Sequence, residues 1–313
     1  MIQDIVKKLA EAEGSPSAVE VARLSGLSAS DLDEFRKAWT AVSTERRRAI
    51  LQIAVQLAEH DVEMDFGQIF KLCLSDPDES VRATAIEGLW EDEEFRTADR
   101  LVTMLRTDSA EAVRAAAALV LSRFALLAEE GKLYAPSARR VREALFAAAN
   151  DASETVEVRR RVIEALGVLS DPKVADLVAA SYADPDPKMR ASAVYAMGRT
   201  CDERWLEIIL HELESENPEM RYEAARAAGE LGSPRAIVPL ISLLDDEDIE
   251  VQLAAVGALG YIGGDVARRA LERCLQNQKP AVRAAAADAL SELDLTADPL
   301  SVAPFLKNST RTI

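Results

Sequence analysis

Side-chain catalysis needs a nucleophile, an acid–base group or a metal ligand held close to a second such group. This chain of 313 residues offers few candidates. It has two histidines, His60 and His211, and three cysteines, Cys73, Cys201 and Cys274, all far apart in sequence. A transition-metal site draws its His, Cys or carboxylate ligands from short, recognisable spacings, and none of these residues keeps one. His211-Glu212 reads as an exposed pair. There is no glycine-rich phosphate loop, no CxxC pair and no Ser/His/Asp constellation. The odd number of cysteines reads as buried, inert thiols in a reducing cytoplasm. No catalytic residue, metal or cofactor is expected, and the chemistry left to the chain is that of contact.

The elements that position those contacts follow a fixed beat. Val158, Met189, Met220, Val251 and Val282 stand 31 residues apart, and Gly167, Gly198, Gly229 and Gly260 keep the same step. A period of this length marks stacked helix pairs. Val81 and Val113 extend the series upstream, with extra residues placed at about 126–140, where an overlong helix is expected to break at Gly131 and Pro136. About seven units therefore occupy residues 64–296. Asp76, Asp108, Ser153, Asp184, Ser215, Asp246 and Asn277, five before each anchor, are short polar side chains that bond backbone in turns. Asp78, Thr155, Asp186, Asn217 and Asp248 are good N-caps, and Pro187, Pro218 and Pro280 suit a first helical position. The second helix then reads V-R-x-x-A-A-x-A-L-G, apolar on one face, with the glycine ending the helix or letting the backbone turn.

This pattern resembles the HEAT-repeat superfamily, and in particular the short repeats first recognised in phycobilisome lyases. Its carriers are the turn Asp, the A-x-A-L-G ending and the anchor Arg (Arg82, Arg114, Arg159, Arg190, Arg221 and Arg283), with Gln252 in its place in the sixth unit. The resemblance implies an all-α solenoid over about three-quarters of the chain, with a ladder of Asp–Arg bonds weakened at Gln252. It does not imply one function. HEAT-type deoxyhypusine hydroxylases hold iron through His-Glu pairs directly after the anchor Arg. The matching positions here are Tyr222-Glu223, Arg160-Arg161, Ala191-Ser192 and Leu253-Ala254, which excludes that site. HEAT-like DNA glycosylases use a cationic groove, which a net charge of −17 opposes. The bilin lyases act with a second HEAT-repeat partner. A lyase-like or tetrapyrrole-chaperone subunit is therefore the alternative to a non-catalytic scaffold for a protein or peptide.

In repeats of this type the second helices line the concave side, with exposed positions 2, 3, 6 and 10 residues after the anchor. Arg160, Arg161, Glu164, Tyr195, Arg199, Tyr222, Glu223, Arg226, Glu230, Leu253 and Tyr261 fall there. Three of the five tyrosines are in this set, and Tyr and Arg are the residues enriched at binding hot spots. Over units three to five the face carries four Arg against three Glu, a small positive excess. The expected partner-binding residues are Arg160, Glu164, Tyr195, Arg199, Tyr222, Arg226, Glu230 and Tyr261. Acidic runs at 90–95, 212–219 and 245–250 read as solvated turns.

Residues 1–63 do not keep the beat. They read as a helical N-terminal cap with helices at about 2–12, 17–24, 31–42 and 44–60, Ser30 and Asp33 forming a near capping box. Arg46, Arg47 and Arg48 read as one solvated turn. Residues 297–313 read as a tail. No apolar run spans a membrane and the N-terminus is no signal peptide, so a cytoplasmic protein free of membrane and nucleic acid is expected, its oligomeric state open.

Overall fold

A computed structural model of the protein describes residues 2–11 and 14–297. The expected tail, beyond Ala297, lies outside the described residues. Every regular element among these is a helix, as an all-α solenoid requires. The chain divides into two units at Leu169/Ser170.

The first unit opens with α1 (Ile2–Glu11), α2 (Ala18–Ala22), α3 (Ala29–Trp39) and α4 (Thr44–His60). It continues with α5 (Gly67–Cys73), α6 (Glu79–Glu87), α7 (Phe95–Thr107), α8 (Glu111–Glu129), α9 (Ala135–Ala149) and α10 (Val156–Leu166). Here α4 packs on α6, α6 on α8 and α8 on α10, so the cap joins the row of second helices through α4. The second unit contains α11 (Pro172–Tyr182), α12 (Pro187–Arg199), α13 (Leu206–Glu212), α14 (Pro218–Leu231), α15 (Ile237–Ser242), α16 (Ile249–Ile262), α17 (Gly264–Cys274) and α18 (Pro280–Ala297). Each second helix (α12, α14, α16) packs on the next, and α11, α13, α15 and α17 back onto the second helix of their own pair.

The seven anchors, Val81 to Val282, are all buried, each contributing about 1.5–3 kcal/mol of apolar burial. Asp78, Thr155, Asp186, Asn217 and Asp248 cap their helices by accepting backbone N–H bonds. Of the seven turn residues, Asp76, Asp108, Asp184, Ser215, Asp246 and Asn277 each accept a bond from the amide two residues on. Ser153 does not; it donates to Asp151 instead.

Three of the six anchor arginines, Arg82, Arg114 and Arg221, join their own turn to the next. Arg82 gives one nitrogen to the carbonyl oxygens of Asp76 and Pro77 and two to the carboxylate of Asp108, at 2.8 and 2.9 Å. Arg114 repeats this with Glu154, and Arg221 with Asp246. At Gln252 the ladder weakens as expected, since Gln252 reaches only the Asp246 carbonyl. Another gap follows from Ser215, which leaves Arg190 only the carbonyls of its own turn, Asp184 and Pro185, and the buried Nε of Arg159 has no hydrogen-bond partner among the described residues. The ladder also starts earlier than the sequence reading allowed. Arg47 bonds the buried Asp76 at 2.9 Å and Arg48 grips Asp78, while Arg46 donates to the carbonyls of Leu9 and Gly14. The basic cluster is thus the joint between cap and first repeat, not a solvated turn.

Of the repeated glycines, Gly167 ends α10 as expected, and the other three have a different task. Gly198, Gly229 and Gly260 lie inside their helices, and a Cβ on Gly198 would come within 2.5 Å of the Ala227 Cα. A Cβ on Gly229 would lie 3.0 Å from the Ala258 Cα, and one on Gly260 would lie 2.8 Å from the Ala289 Cβ. The left-handed end of α14 is Gly232, at φ 68°. Three further expectations are corrected. The cap of α3 is Ser28, which accepts the Asp31 amide, so this helix starts earlier than Ser30 suggested. Pro136 opens α9 in its first turn instead of breaking a helix, because the chain has already turned at Gly131, φ 70°. Cys73 and Cys274 are buried, with thiols pushed up by desolvation, but Cys201 is exposed at a left-handed φ of 49°.

Two predictions follow from this packing. Gly198→Ala should destabilise the protein by about 1–3 kcal/mol through overpacking. Gly257→Ala, where a Cβ meets nothing within 4 Å, should stabilise it by up to about 1 kcal/mol through helix propensity. Urea midpoints of the two variants should move in opposite directions. The ladder makes the second prediction. The bonds from Arg48 hold Asp78 at about 2, those from Arg114 lower Glu154, and those from Arg221 lower Asp246. Carboxylates depressed in the folded state contribute stability above their unfolded value near about 4, and that stability is lost as pH falls through the folded value. The stability difference between the protein and Asp246→Asn, measured by urea unfolding, should therefore be full at neutral pH and close below about pH 4.

Candidate binding groove

The second helices of the second unit bring aromatic, guanidinium and carboxylate groups onto one face at helical spacing. On α14, Tyr222, Arg226 and Glu230 follow at steps of four; on α16, Leu253, Gly257 and Tyr261 do the same. These six line a groove of about 360 Å³ whose floor is formed by Gly229, Ala254 and Ala258. The floor is low because its residues are small, and the α16 wall is open at Gly257, which is exposed.

Arg226 organises the α14 side. Its guanidinium carbon lies 5.0 Å from the ring centre of Tyr195 on α12 and 5.6 Å from that of Tyr222. One of its nitrogens is 3.5 Å from Glu223. Tyr195 and Tyr222 are half-buried, while Arg226 is exposed. Arg199 and Glu230 form a separate pair at 3.3 Å. Tyr261 projects furthest, with 76% of its surface exposed. The structure therefore brings Tyr195, Arg199, Tyr222, Arg226, Glu230 and Tyr261 onto one surface of the second unit.

Arg160 and Glu164, on α10 of the first unit, differ from the exposed positions expected of them. Arg160 bonds Glu157 at 2.6 Å, Arg161 bonds Glu164 at 2.9 Å, and Glu164 is buried. The four side chains satisfy one another along a single helix. The small positive excess read from the sequence is therefore spent internally, and Glu250, just before the anchor Val251, adds an exposed acid to the groove. The sequence reading missed Glu250 and Gly257. The available signal was the missing side chain at the α16 position that matches Tyr195 and Arg226. Elsewhere, in the first unit, exposed Phe95 and Tyr134 meet in a tilted ring pair with centres 5.3 Å apart. No group of three or more His, Cys, Asp or Glu among the described residues is arranged to hold a metal ion.

A family model for HEAT repeats matches residues 68–130, 177–248 and 237–312, more than half of the chain. The chain belongs to the HEAT-repeat family. Among solved structures, this HEAT-repeat protein is similar to YibA of E. coli (17% identity, TM-score 0.48, covering 91% of this chain and 98% of that one). It is also similar to the complex of CpcE and CpcF of phycocyanin lyase from Nostoc sp. PCC7120 (16%, TM-score 0.47, 91% and 97%). A third is human deoxyhypusine hydroxylase in complex with glycerol (17%, TM-score 0.39, 94% and 96%). No curated protein sequence matches the chain. Among the described residues, no helix of the HEAT-repeat protein is long and apolar enough to cross a membrane.

The stacking around Arg226 generates a prediction independent of any partner. Exposed cation–π contacts contribute about 0.5–1 kcal/mol each. A double-mutant cycle between Arg226→Gln and Tyr195→Leu, read from urea unfolding, should give a coupling of about 0.5–1 kcal/mol. A coupling indistinguishable from zero would show that the guanidinium does not hold its place over the ring.

Proposed function

We propose that this HEAT-repeat protein is a non-catalytic binding module for another protein or peptide, engaged through the second-helix face of its second unit. The observation that carries the reading is the groove between α14 and α16. It combines two tyrosines and an arginine with a floor of glycine and alanine, and it contains neither histidine nor cysteine. Rigid aromatic side chains around an accessible depression are what binding anchors use, because they bury much area at little cost in side-chain entropy. The acidic runs at 90–95 and 212–219 do not line this groove, and of the 245–250 run only Glu250 does. Their role in binding is long-range attraction and association rate, whereas the groove governs how long a complex lasts.

The experiment is affinity capture with the full chain and three variants: Tyr222→Ala, Tyr261→Ala, and a 245–248 turn with its acids neutralised. A partner bound by the native chain should dissociate about thirtyfold faster from the tyrosine variants, with little change in folding. The turn variant should retain the partner and lose mainly association rate. Normal retention by the tyrosine variants with rapid loss from the turn variant would overturn the assignment of the face. Visible absorbance of the purified protein from a bound bilin would instead favour the tetrapyrrole-handling alternative.

A further inference from the structure

The groove holds more chemical information than a general contact surface. Two carboxylates line it, Glu230 from α14 and Glu250 from α16, and only one cation, Arg226. That cation is already engaged by the Tyr195 and Tyr222 rings and stands 3.5 Å from Glu223. Glu230 shares Arg199 through long contacts of 3.3 and 3.4 Å. Glu250 is exposed and has no ion pair among the described residues. Tyr261, 76% exposed, has no ring or cation partner among them. The fixed charge left over in the groove is therefore negative, and the groove also holds an uncommitted aromatic face and a wall left open at Gly257.

We infer that this groove receives a guanidinium group, the side chain of an arginine in a basic segment of the partner. The inference rests on the proposed binding role of the same groove and names what it binds. A planar cation is attracted to the face of a tyrosine ring and donates paired N–H bonds to carboxylates in fork geometry. Tyr261 and Glu230, which holds the matching register on α14, present these two features toward one end of the depression, while Glu250 stands three turns before Tyr261 on α16, about 16 Å away, and attracts the other basic side chains of the segment. A volume of about 360 Å³ is at the small end of ligand sites, suited to one long side chain. An acidic or phosphorylated segment is disfavoured, since the one arginine facing it is already stacked and the remaining charges repel it. The net charge of −17 draws a basic segment from a distance. Specificity for arginine over lysine comes from the ring, because an ammonium ion is a compact, strongly hydrated charge that does not stack.

The test uses the full chain and a fluorescein-labelled Gly/Ser peptide carrying three arginines, compared with the same peptide carrying lysine or uncharged citrulline, followed by anisotropy at low ionic strength. The citrulline peptide should bind about tenfold more weakly than the arginine peptide, and the lysine peptide should fall between them. Glu250→Gln and Tyr261→Ala should each weaken the arginine peptide about fivefold or more, whereas Glu247→Gln, an exposed acid outside the groove, should change it less than about twofold. Far-UV circular dichroism checks that each variant is folded. Gly257→Leu, which fills the opening in the α16 wall, should also abolish the preference for arginine. Equal binding of the citrulline peptide, an equal loss in Glu247→Gln and Glu250→Gln, or no binding of the arginine peptide would each overturn the inference. If a captured partner still depends on Tyr222 and Tyr261 while the arginine peptide fails, the binding face stands and only its ligand assignment falls.

Discussion

In the second unit, the spacing of successive second helices is set where a glycine of one helix meets an alanine of the next. Gly198 faces Ala227, Gly229 faces Ala258 and Gly260 faces Ala289, and a further methyl group would force a shift at Gly198 and Gly260 and be tight at Gly229. Helices packed through large side chains stay toward the far end of the usual 8–10 Å range; these approach until backbone nearly touches backbone. Everything else in the unit is arranged around that closeness. It brings Asp246 within reach of Arg221, lets Arg226 of α14 lie over Tyr195 of α12, and leaves between α14 and α16 a groove shallow enough to have Gly229 and Ala258 as its floor. The same residues thus set the packing distance and shape the surface that faces outward.

The arginine ladder adds direction to this packing. In the first unit it runs unbroken from Arg47 through Arg82 to Arg114, each guanidinium largely buried and each bonded to an acid of the following turn. In the second unit only Arg221 has a carboxylate to grip. Breaking a buried pair by removing one partner leaves a desolvated charge behind, so loss of an acid is tolerated where the cation goes too or finds carbonyl oxygens. The second unit uses both solutions. Gln252 replaces the cation, and Arg190 keeps to the carbonyls of its own turn opposite the neutral Ser215.

Most of the architecture was legible because it is periodic. Buried anchors, caps and turn residues recur at one spacing, and their physical roles depend on neighbours within a few positions. What the sequence hid depends on which atoms meet across repeats. The glycines read as helix ends because helix ends favour glycine, and Gly167 is one; for Gly198, Gly229 and Gly260 only the neighbouring alanine shows that they are contact points instead. Arg46, Arg47 and Arg48 read as solvated because their acceptors, from Leu9 to Asp78, are distant in sequence. Glu164 read as exposed because its register position is correct, yet Arg160 and Arg161 fold over it on the same helix. The face residues Tyr195, Tyr222, Arg226, Glu230 and Tyr261 were legible from register alone. The groove between them was not, since it is made by what Gly257 lacks.

The glycine–alanine contact also governs how such a chain can change its length. A residue inserted within a second helix turns everything after it by about 100°, carrying the alanine away from its glycine and the face residues out of line. Whole repeats, by contrast, can be gained or lost, since each contact refers only to the adjacent helix. The extra residues of the first unit obey this rule. They extend α8 to Glu129, with Phe124, Ala125 and Leu127 buried, and lengthen α9, and Val158 resumes the register intact. Variation in a lineage of such proteins is therefore quantised: it accumulates at helix ends and in repeat number, while the register of the second helices is inherited unchanged.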